Sequence, residues 1–507
     1  MIKNLVYIVL FAVMSCNTVP DEDVIGVYPD KIISENFIGN GVQWSAYHHA
    51  NSANSDWGKL MTDEKWQMNF DRLDYMKPKL FRILDQANWR YLVGFDENDE
   101  PIVDFSTPEV KALEKVLDYA EKNDISVLFG EWGTPYKMHD LEEGHGDKFT
   151  GANDPKWINI IVKYLDYLIN EKGYTCLKYY NLVNEPDGSW ASTKSDYTEW
   201  SEGIKLLKTA LDIAGLSDNI VISGPDALPE YPNSGQYQNG NKWVKQSVKE
   251  LDGCLGLYDV HSYSQYDFVR SGNFEEFYTK VAEPVKAVNK QIIFGEIGFT
   301  RRGEENQRRI VEDGFSSEDS KMDVYDYSYG VDMADVAIQI LNAGYSGIAA
   351  WDLDDAMHTK NDLGQKNKLK RWGMWNSLGT EICNNPDDEN IRPWFYSWSL
   401  LCRYFPPGYT IIETDTTGIE GLRLTAAEHN GDMTIALVNN SIIDNDLVLA
   451  IPKNITKKFK KYEYIEHDKL KDENGFPVPT EQGIKRKALK KIHVPANSFV
   501  LLTTIDY

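Results

Sequence analysis

Residues 177–186 read Leu177-Lys178-Tyr179-Tyr180-Asn181-Leu182-Val183-Asn184-Glu185-Pro186, a mainly apolar run that stops on a carboxylate and a proline. A second run, Gln291-Ile292-Ile293-Phe294-Gly295, stops on Glu296 in the same way. Each has the length of a strand buried in a parallel sheet, and reactive groups of parallel barrels collect where the strands end. One such glutamate carries little weight. Two of them, in order and among aromatic residues, predict a paired-carboxylate site.

Outward from these runs, residues Phe37 to Phe405 alternate short apolar segments with longer amphipathic ones. That alternation predicts βα units around a parallel sheet. Eight strands are expected: Ile38–Trp44, Leu80–Leu84, Ser126–Gly130, Leu177–Val183, Ile220–Ser223, Gly256–His261, Gln291–Glu296 and Gly347–Asp352. Helical patterns lie between them at Asp63–Met76, Pro108–Lys122, Lys156–Glu171, Tyr197–Ala214, Phe274–Asn289 and Gly330–Ala343, with a last one at Ile391–Tyr404. Eight such units predict a (β/α)8 barrel over residues 36–405. A doubly wound sheet would carry a Gly-rich phosphate turn after an early strand, and Gly39-Asn40-Gly41 lacks the helix glycine that completes one.

After Pro406-Pro407-Gly408 the pattern becomes short and alternating, with turns at Asn430-Gly431 and Asn474-Gly475. This predicts an antiparallel β-sandwich over residues 406–507, to which Val24–Ile33 is placed to add a strand.

The net charge of -25 excludes a nucleic-acid binder of the usual kind, which needs clustered Lys and Arg to neutralise phosphates. With 14 Trp and 29 Tyr the chain has flat apolar faces in quantity, for its core or for stacking on ligand rings. Residues 1–15 carry Lys3 and the apolar stretch Leu5–Val13, too short to span a bilayer, so a cleaved signal is expected. The run Val13-Met14-Ser15-Cys16 resembles a bacterial lipoprotein signal, which implies lipidation of Cys16, residues 16–35 as tether, and a place in the cell envelope. Cys176, Cys254, Cys383 and Cys402 show no metal or disulfide spacing, and buried thiols are expected at Cys176 and Cys402. His48-His49 and the acidic Trp351-Asp352-Leu353-Asp354-Asp355 lack the spacing of zinc or calcium sites, so no metal is expected.

The segment Tyr179–Pro186 resembles the fourth-strand end of the clan of retaining (β/α)8 glycoside hydrolases, and Ile292–Gly298 resembles the seventh-strand end of the same clan. The resemblance implies Glu185 as acid/base, Glu296 as nucleophile, and Asn184 as the partner of a sugar 2-hydroxyl. Phe81-Arg82-Ile83, Val260-His261-Ser262-Tyr263 and Ala350-Trp351 are similar to the second, sixth and eighth strand ends of that clan. They imply Arg82 and Tyr263 against the nucleophile, His261 beside them, and Trp351 as the platform under the sugar. Gly-Glu-x-Gly at 295–298 is most similar to family 5, the cellulase and mannanase family, whereas Gly130-Glu131-Trp132-Gly133 departs from that family's third strand. Barrel plus sandwich resembles families 39 and 30, which stand as alternatives.

Trp44 and Trp132, at the ends of the first and third strands, are candidate subsite walls, and Glu131 and Asp85 candidate sugar or ion-pair partners. The expectation is a cofactor-free retaining hydrolase of a β-linked glycan, leaning to endo action on a β-glucan or β-mannan. An exo-acting glycosidase of the family 39 or 30 type is the alternative within enzymes. Loops at Tyr136–Asn153 and Phe299–Tyr327 are placed to close one end of a cleft. A non-catalytic glycan-binding lipoprotein is the alternative from another class.

Overall fold

The computed structural model describes residues 24–47, 57–135, 148–232, 235–300, 303–358, 368–467, 470–489 and 491–507. Cys16 and the signal segment, His48-His49, and most of the loop after Tyr136 lie outside the described residues.

Eight parallel strands close into a barrel. In chain order they are Gly39–Gln43, Leu80–Asp85, Ser126–Glu131, Leu177–Asn181, Val221–Ala227, Leu257–Ser264, Gln291–Phe299 and Gly347–Ala350, and the eighth pairs with the first from Gly347↔Gly39 to Ala350↔Val42. The intervening helices begin and end where local chemistry dictates. Asp63–Met76 starts on Thr62, whose hydroxyl accepts from Lys65 N, and stops at Lys77 in the left-handed conformation. Pro108–Lys122 starts with Pro108 after the capping Thr107, and Tyr197–Ala214 runs from the Asp196 cap to Gly215 at φ 71°.

Side chains of the strands alternate between the barrel interior and the helix layer. Ile38, Leu80, Leu128, Leu257, Ile293 and Ala349 form a separate apolar cluster inside the barrel, toward the strand starts. That plug closes one end, so polar side chains from the same strands are brought together only at the other. Outward residues join the large core beneath the helices, including Phe81, Val127, Tyr180, Ile222 and Phe294.

The second domain is a sheet of nine strands, with Val24–Ser34 antiparallel to Thr410–Thr414 and parallel to Asn445–Ala450. All nine strands contribute to one apolar cluster, from Ile25 and Ile412 through Phe459 to Val494 and Leu502. A flat sheet cannot turn every strand toward one core, so this one folds over on itself as a sandwich. It is fixed to the barrel by the ion pair of Arg423 with buried Asp335, 2.8 Å, and by Tyr464, which donates to Tyr327 O at 2.8 Å.

Cys176 and Cys402 are buried free thiols. Asp354 accepts from Tyr47 Oη, Ala356 N and Ser377 N, and Asp355 is ion-paired with Arg371 and Arg392, so both carboxylates are engaged in shaping the segment after the eighth strand. Among the described residues no helix is long and apolar enough to cross a membrane.

Candidate active site

The two glutamates reach the barrel mouth by different backbone routes. After Asn181 the fourth strand gives way to bends, Asn184 N donates to Glu131 O at 3.0 Å, and Glu185 takes φ 47°. A bulky residue adopts this left-handed conformation only where its surroundings impose it, a form of strain that gathers at functional sites. In the seventh strand the register slips between Phe294 and Glu296, and Gly295 N donates to the buried Asp259 Oδ1 at 2.6 Å. A Cβ at Gly295 would collide with the Asp259 carboxylate, so only glycine lets the strand pass and aim Glu296 inward.

A carboxylate oxygen of Glu185 and one of Glu296 lie within 4.8 Å of each other, with His261 inside the same cluster. His261 Nδ1 is 3.1 Å from Glu185 Oε1 and 3.7 Å from Glu296 Oε2, and its Nε2 is 2.8 Å from Asp226 Oδ1. Arg82 reaches three partners: Nη1 donates to Glu296 Oε2 at 2.6 Å, and Nη2 to Asn184 Oδ1 at 2.6 Å and Asp226 Oδ2 at 2.8 Å. Tyr263 donates its hydroxyl to the other Glu296 oxygen, Oε1. Arg82, His261 and Asp226 are fully enclosed, and both glutamates are largely buried.

Burial dominates the electrostatics of this cluster, and neighbouring charges then divide its members. Burial raises the Glu296 carboxyl above its ordinary range, while His261, Arg82 and the Tyr263 hydroxyl pull in the opposite direction. At Asp226 burial is overcome by Arg82 and His261, which hold the carboxyl below its ordinary range. Burial alone would strip His261 of its proton, but Asp226 and then Glu296 keep the imidazolium. The result is a fixed frame of Arg82, His261 and Asp226 in which Glu296 is held from both oxygens.

A cleft of about 400 Å³ opens over the two glutamates, lined by Trp132, Trp190, Tyr231, Trp351, Trp372 and Lys321 among others. Trp351 meets Trp132 edge-on at 6.0 Å between ring centroids and Trp372 at 5.3 Å. Lys321, from the segment after the seventh strand, places Nζ 3.5 Å from the centre of the Tyr263 ring. Burial lowers this ammonium to about 8.

Three sequence candidates, Trp44, Glu131 and Asp85, do not face this cleft. Trp44 is fully buried, packed against Phe81 at 5.5 Å and against Trp66, Phe70 and Tyr119, so it is a core residue between barrel and helices and not a subsite wall. Glu131 is enclosed beneath the mouth, where it accepts from Ala87 N and Tyr91 Oη, each at 3.0 Å. Burial and the neighbouring Asp85 push Glu131 up to about 8, and Asp85 itself is ion-paired with Arg90 at 2.5 Å. Both carboxyl groups therefore support the frame and are shielded from a ligand. Trp132 does line the cleft, as do Asn184, Tyr263 and Trp351.

Asp226, Trp190, Lys321, Tyr231 and Trp372 were not singled out in the sequence. Asp226 sits at φ 59° just after Gly224-Pro225, a pair that reads as a turn although the fifth strand runs on through it to Ala227. Trp190 lies in the polar turn segment after Pro186, and Lys321 in the loop after the seventh strand. Only the position of Asp226 three residues beyond the predicted strand end at Ser223 was a signal available in advance.

Among the described residues two triads bring possible metal ligands together, Glu185–His261–Glu296 and Asp226–Asp259–His261. Arg82 is in contact with one carboxylate of each, and its fixed positive charge fills the place a divalent cation would need. The donor set fits an arginine-centred frame and not a metal site.

No protein-family model and no curated protein matches the sequence. Solved structures do match along almost the whole chain. A glycoside hydrolase family 30 subfamily 8 xylanase, Xyn30A from Clostridium acetobutylicum, is 12% identical with a TM-score of 0.60, covering 95% of this chain and 99% of that one. A GH39 β-xylosidase from Caulobacter crescentus is 12% identical with a TM-score of 0.58, covering 96% and 100%. The endo-β1,6-glucanase BT3312 is 15% identical with a TM-score of 0.61, covering 96% and 94%. At these identities the likeness is one of fold, barrel and sandwich together.

Proposed function

We propose that this chain is a retaining hydrolase of β-linked glycans, with Glu296 as nucleophile and Glu185 as general acid and then general base. The observation that carries the reading is that one oxygen of Glu185 and one of Glu296 lie within 4.8 Å of each other, less than the two hydrogen-bond lengths that a water between them would need. Double displacement needs carboxyl groups about 5–5.5 Å apart, whereas an inverting enzyme holds them about 6.5–9.5 Å apart to admit a water molecule. The similar folds of a xylanase, a β-xylosidase and a β-glucanase support the same reaction class.

The steps follow from the frame. Arg82 and Tyr263 orient Glu296 so that one oxygen attacks the anomeric carbon as Glu185 protonates the departing glycosidic oxygen. A glycosyl ester forms on Glu296 and the leaving sugar departs as an alcohol. Glu185, now ionised, takes a proton from water, which attacks the same carbon and releases Glu296. Arg82 accepts no hydrogen bond, so by binding Asn184 Oδ1 it fixes the amide with Nδ2 turned away, toward a sugar 2-hydroxyl. Trp132, Trp351 and Trp372 supply ring faces for the sugar.

The finer readings are endo action on a β-glucan or β-mannan and attachment to a bacterial envelope through lipid on Cys16. The long segment after the seventh strand brings Asn306 and residues 318–321 to the cleft edge, and closure of one end there would favour the exo-acting alternative over the first reading. Assay of Glu185→Ala and Glu296→Ala against a panel of aryl β-glycosides and polysaccharides, with product sizes measured, tests site and substrate together. Both variants should lose activity on polymers, and azide should restore turnover of activated aryl β-glycosides with a β-glycosyl azide as product in Glu185→Ala and an α-glycosyl azide in Glu296→Ala. Full activity in either would refute the reading. Incorporation of a labelled fatty acid, lost in Cys16→Ser, tests the anchor.

A further inference from the structure

Glu185 accepts a hydrogen bond from a residue that no step above uses. Trp190 is 57% exposed, yet its indole Nε1 donates to Glu185 Oε2 at 2.7 Å. The other oxygen, Oε1, faces His261 Nδ1 on the barrel side, so Oε2 is the oxygen left to meet a glycosidic oxygen. An indole N–H only donates, and the oxygen that accepts it is held as a carboxylate acceptor, not as the hydroxyl that a general acid must present. The contact depends on one glycine: a Cβ at Gly188 would collide with Cε2, Cζ2 and Nε1 of the Trp190 ring. Gly188 is not among the glycines with positive φ, so its role is to leave room for the indole and not to permit an unusual backbone.

We propose that Trp190 is a latch on the acid/base: its indole closes Glu185 Oε2 in the empty site, and the leaving-group portion of the glycan must lift it before Oε2 can carry and donate the proton. This rests on the assignment of Glu185 as acid/base. Trp190 also lines the cleft and meets Tyr231 edge-on at 6.5 Å, so the displaced ring has an aromatic neighbour and offers its face to the departing sugar. When the ring moves, Oε2 takes up a proton from solvent water and passes it to the glycosidic oxygen as the anomeric C–O bond breaks and the bond to Glu296 forms. The alcohol leaves, and the indole returns to hold the ionised Glu185. Trp190 is thus a positioning residue, acting on the substrate through Glu185.

The charged and titratable groups facing Glu185 are His261 and Tyr263 from the sixth strand, Glu296 from the seventh, Asp226 from the fifth, Arg82 from the second, Lys321 from the segment after the seventh, and Asp187 on its own loop. None of them is altered by Trp190→Phe or Gly188→Ala, which remove the N–H donor and the room for it respectively. A hydrogen bond to a charged acceptor is worth roughly one pH unit of its titration, so in both variants the alkaline limb of kcat/KM for a phenyl β-glycoside should move about one unit upward. A dinitrophenyl glycoside, whose leaving group needs no proton, should show no such displacement. An unmoved limb in both folded variants, or movement downward, would overturn the latch. The underlying assignment is judged separately by Glu185→Gln, which should abolish the limb altogether, so a failure of one idea is distinguishable from a failure of the other.

Discussion

Arg82 Nη1 lies 2.6 Å from Glu296 Oε2, a charge pair sealed from solvent between the second and seventh strands. The same guanidinium holds Asn184 and Asp226, so one side chain sets the geometry of three others. Lys has one ammonium where Arg has a planar fork, and it cannot make all three contacts. Arg82→Lys should lower kcat by at least about 100-fold, of the order caused by losing one preorganised donor. Arg82→Met leaves two buried carboxylates without their cation and should cost about 3–5 kcal/mol of stability. Steady-state kinetics and urea denaturation check the two variants.

Tyr263→Phe removes the hydroxyl that donates to Glu296 Oε1. Burial already favours the neutral form of Glu296, and the Tyr263 bond is among the contacts that oppose it. Since the nucleophile must be ionised, loss of that bond should move the acid limb of kcat/KM upward, with little change in the alkaline limb. The pH–rate profile reads this directly.

Asp226 is held below the ordinary carboxyl range by Arg82 and His261 despite its burial. A carboxyl with a lowered folded value stabilises the protein above its unfolded titration near ~pH 4, and the contribution is lost as the pH falls through the folded value. Asp226→Asn abolishes that term. Its urea midpoint should therefore be lower than that of the unmodified protein at pH 7 and should fall less steeply toward pH 3. Parallel curves would mean that Asp226 is not ionised in the frame.

Two tryptophans just past the first and third strands should give opposite phenotypes. Trp44→Ala opens a cavity in the core and should cost about 3–5 kcal/mol, with KM unchanged in whatever fraction stays folded. Trp132→Ala, on the cleft wall, should raise KM severalfold with a smaller loss of stability. Thermal unfolding and kinetics on the two proteins separate these outcomes.

Much of the barrel was legible because its signals are local. Thr62 and Pro108 mark helix starts, and all eight strands fall where apolar runs end in polar residues. Glu185 and Glu296 were singled out because each closes an apolar run, whereas Arg82, His261 and Tyr263 were expected only from the resemblance of their segments to the second and sixth strand ends of the glycoside hydrolase clan. Trp44 was misread because a residue just past a strand end can turn toward the mouth or toward the helices, and the sequence does not record which. Glu131 was misread for a related reason: its carboxyl turns under the mouth to meet Ala87 N and Tyr91. Asp226 was hidden by Gly224-Pro225, which ended the predicted fifth strand at Ser223. Trp190 was hidden because its contact depends on how the Gly188 turn folds back, a matter of tertiary geometry.

The central claim is that Glu296 forms a covalent bond to sugar. Incubation with activated 2-deoxy-2-fluoro β-glycosides of glucose, mannose and xylose, followed by peptide mass spectrometry, tests it most directly. The account predicts one equivalent of fluoro-sugar from at least one of these reagents, esterified to Glu296 and absent in Glu185→Ala only when the leaving group is poor. A label on another residue, or hydrolysis of a β-glycoside with release of the α-anomer as first product, would contradict it.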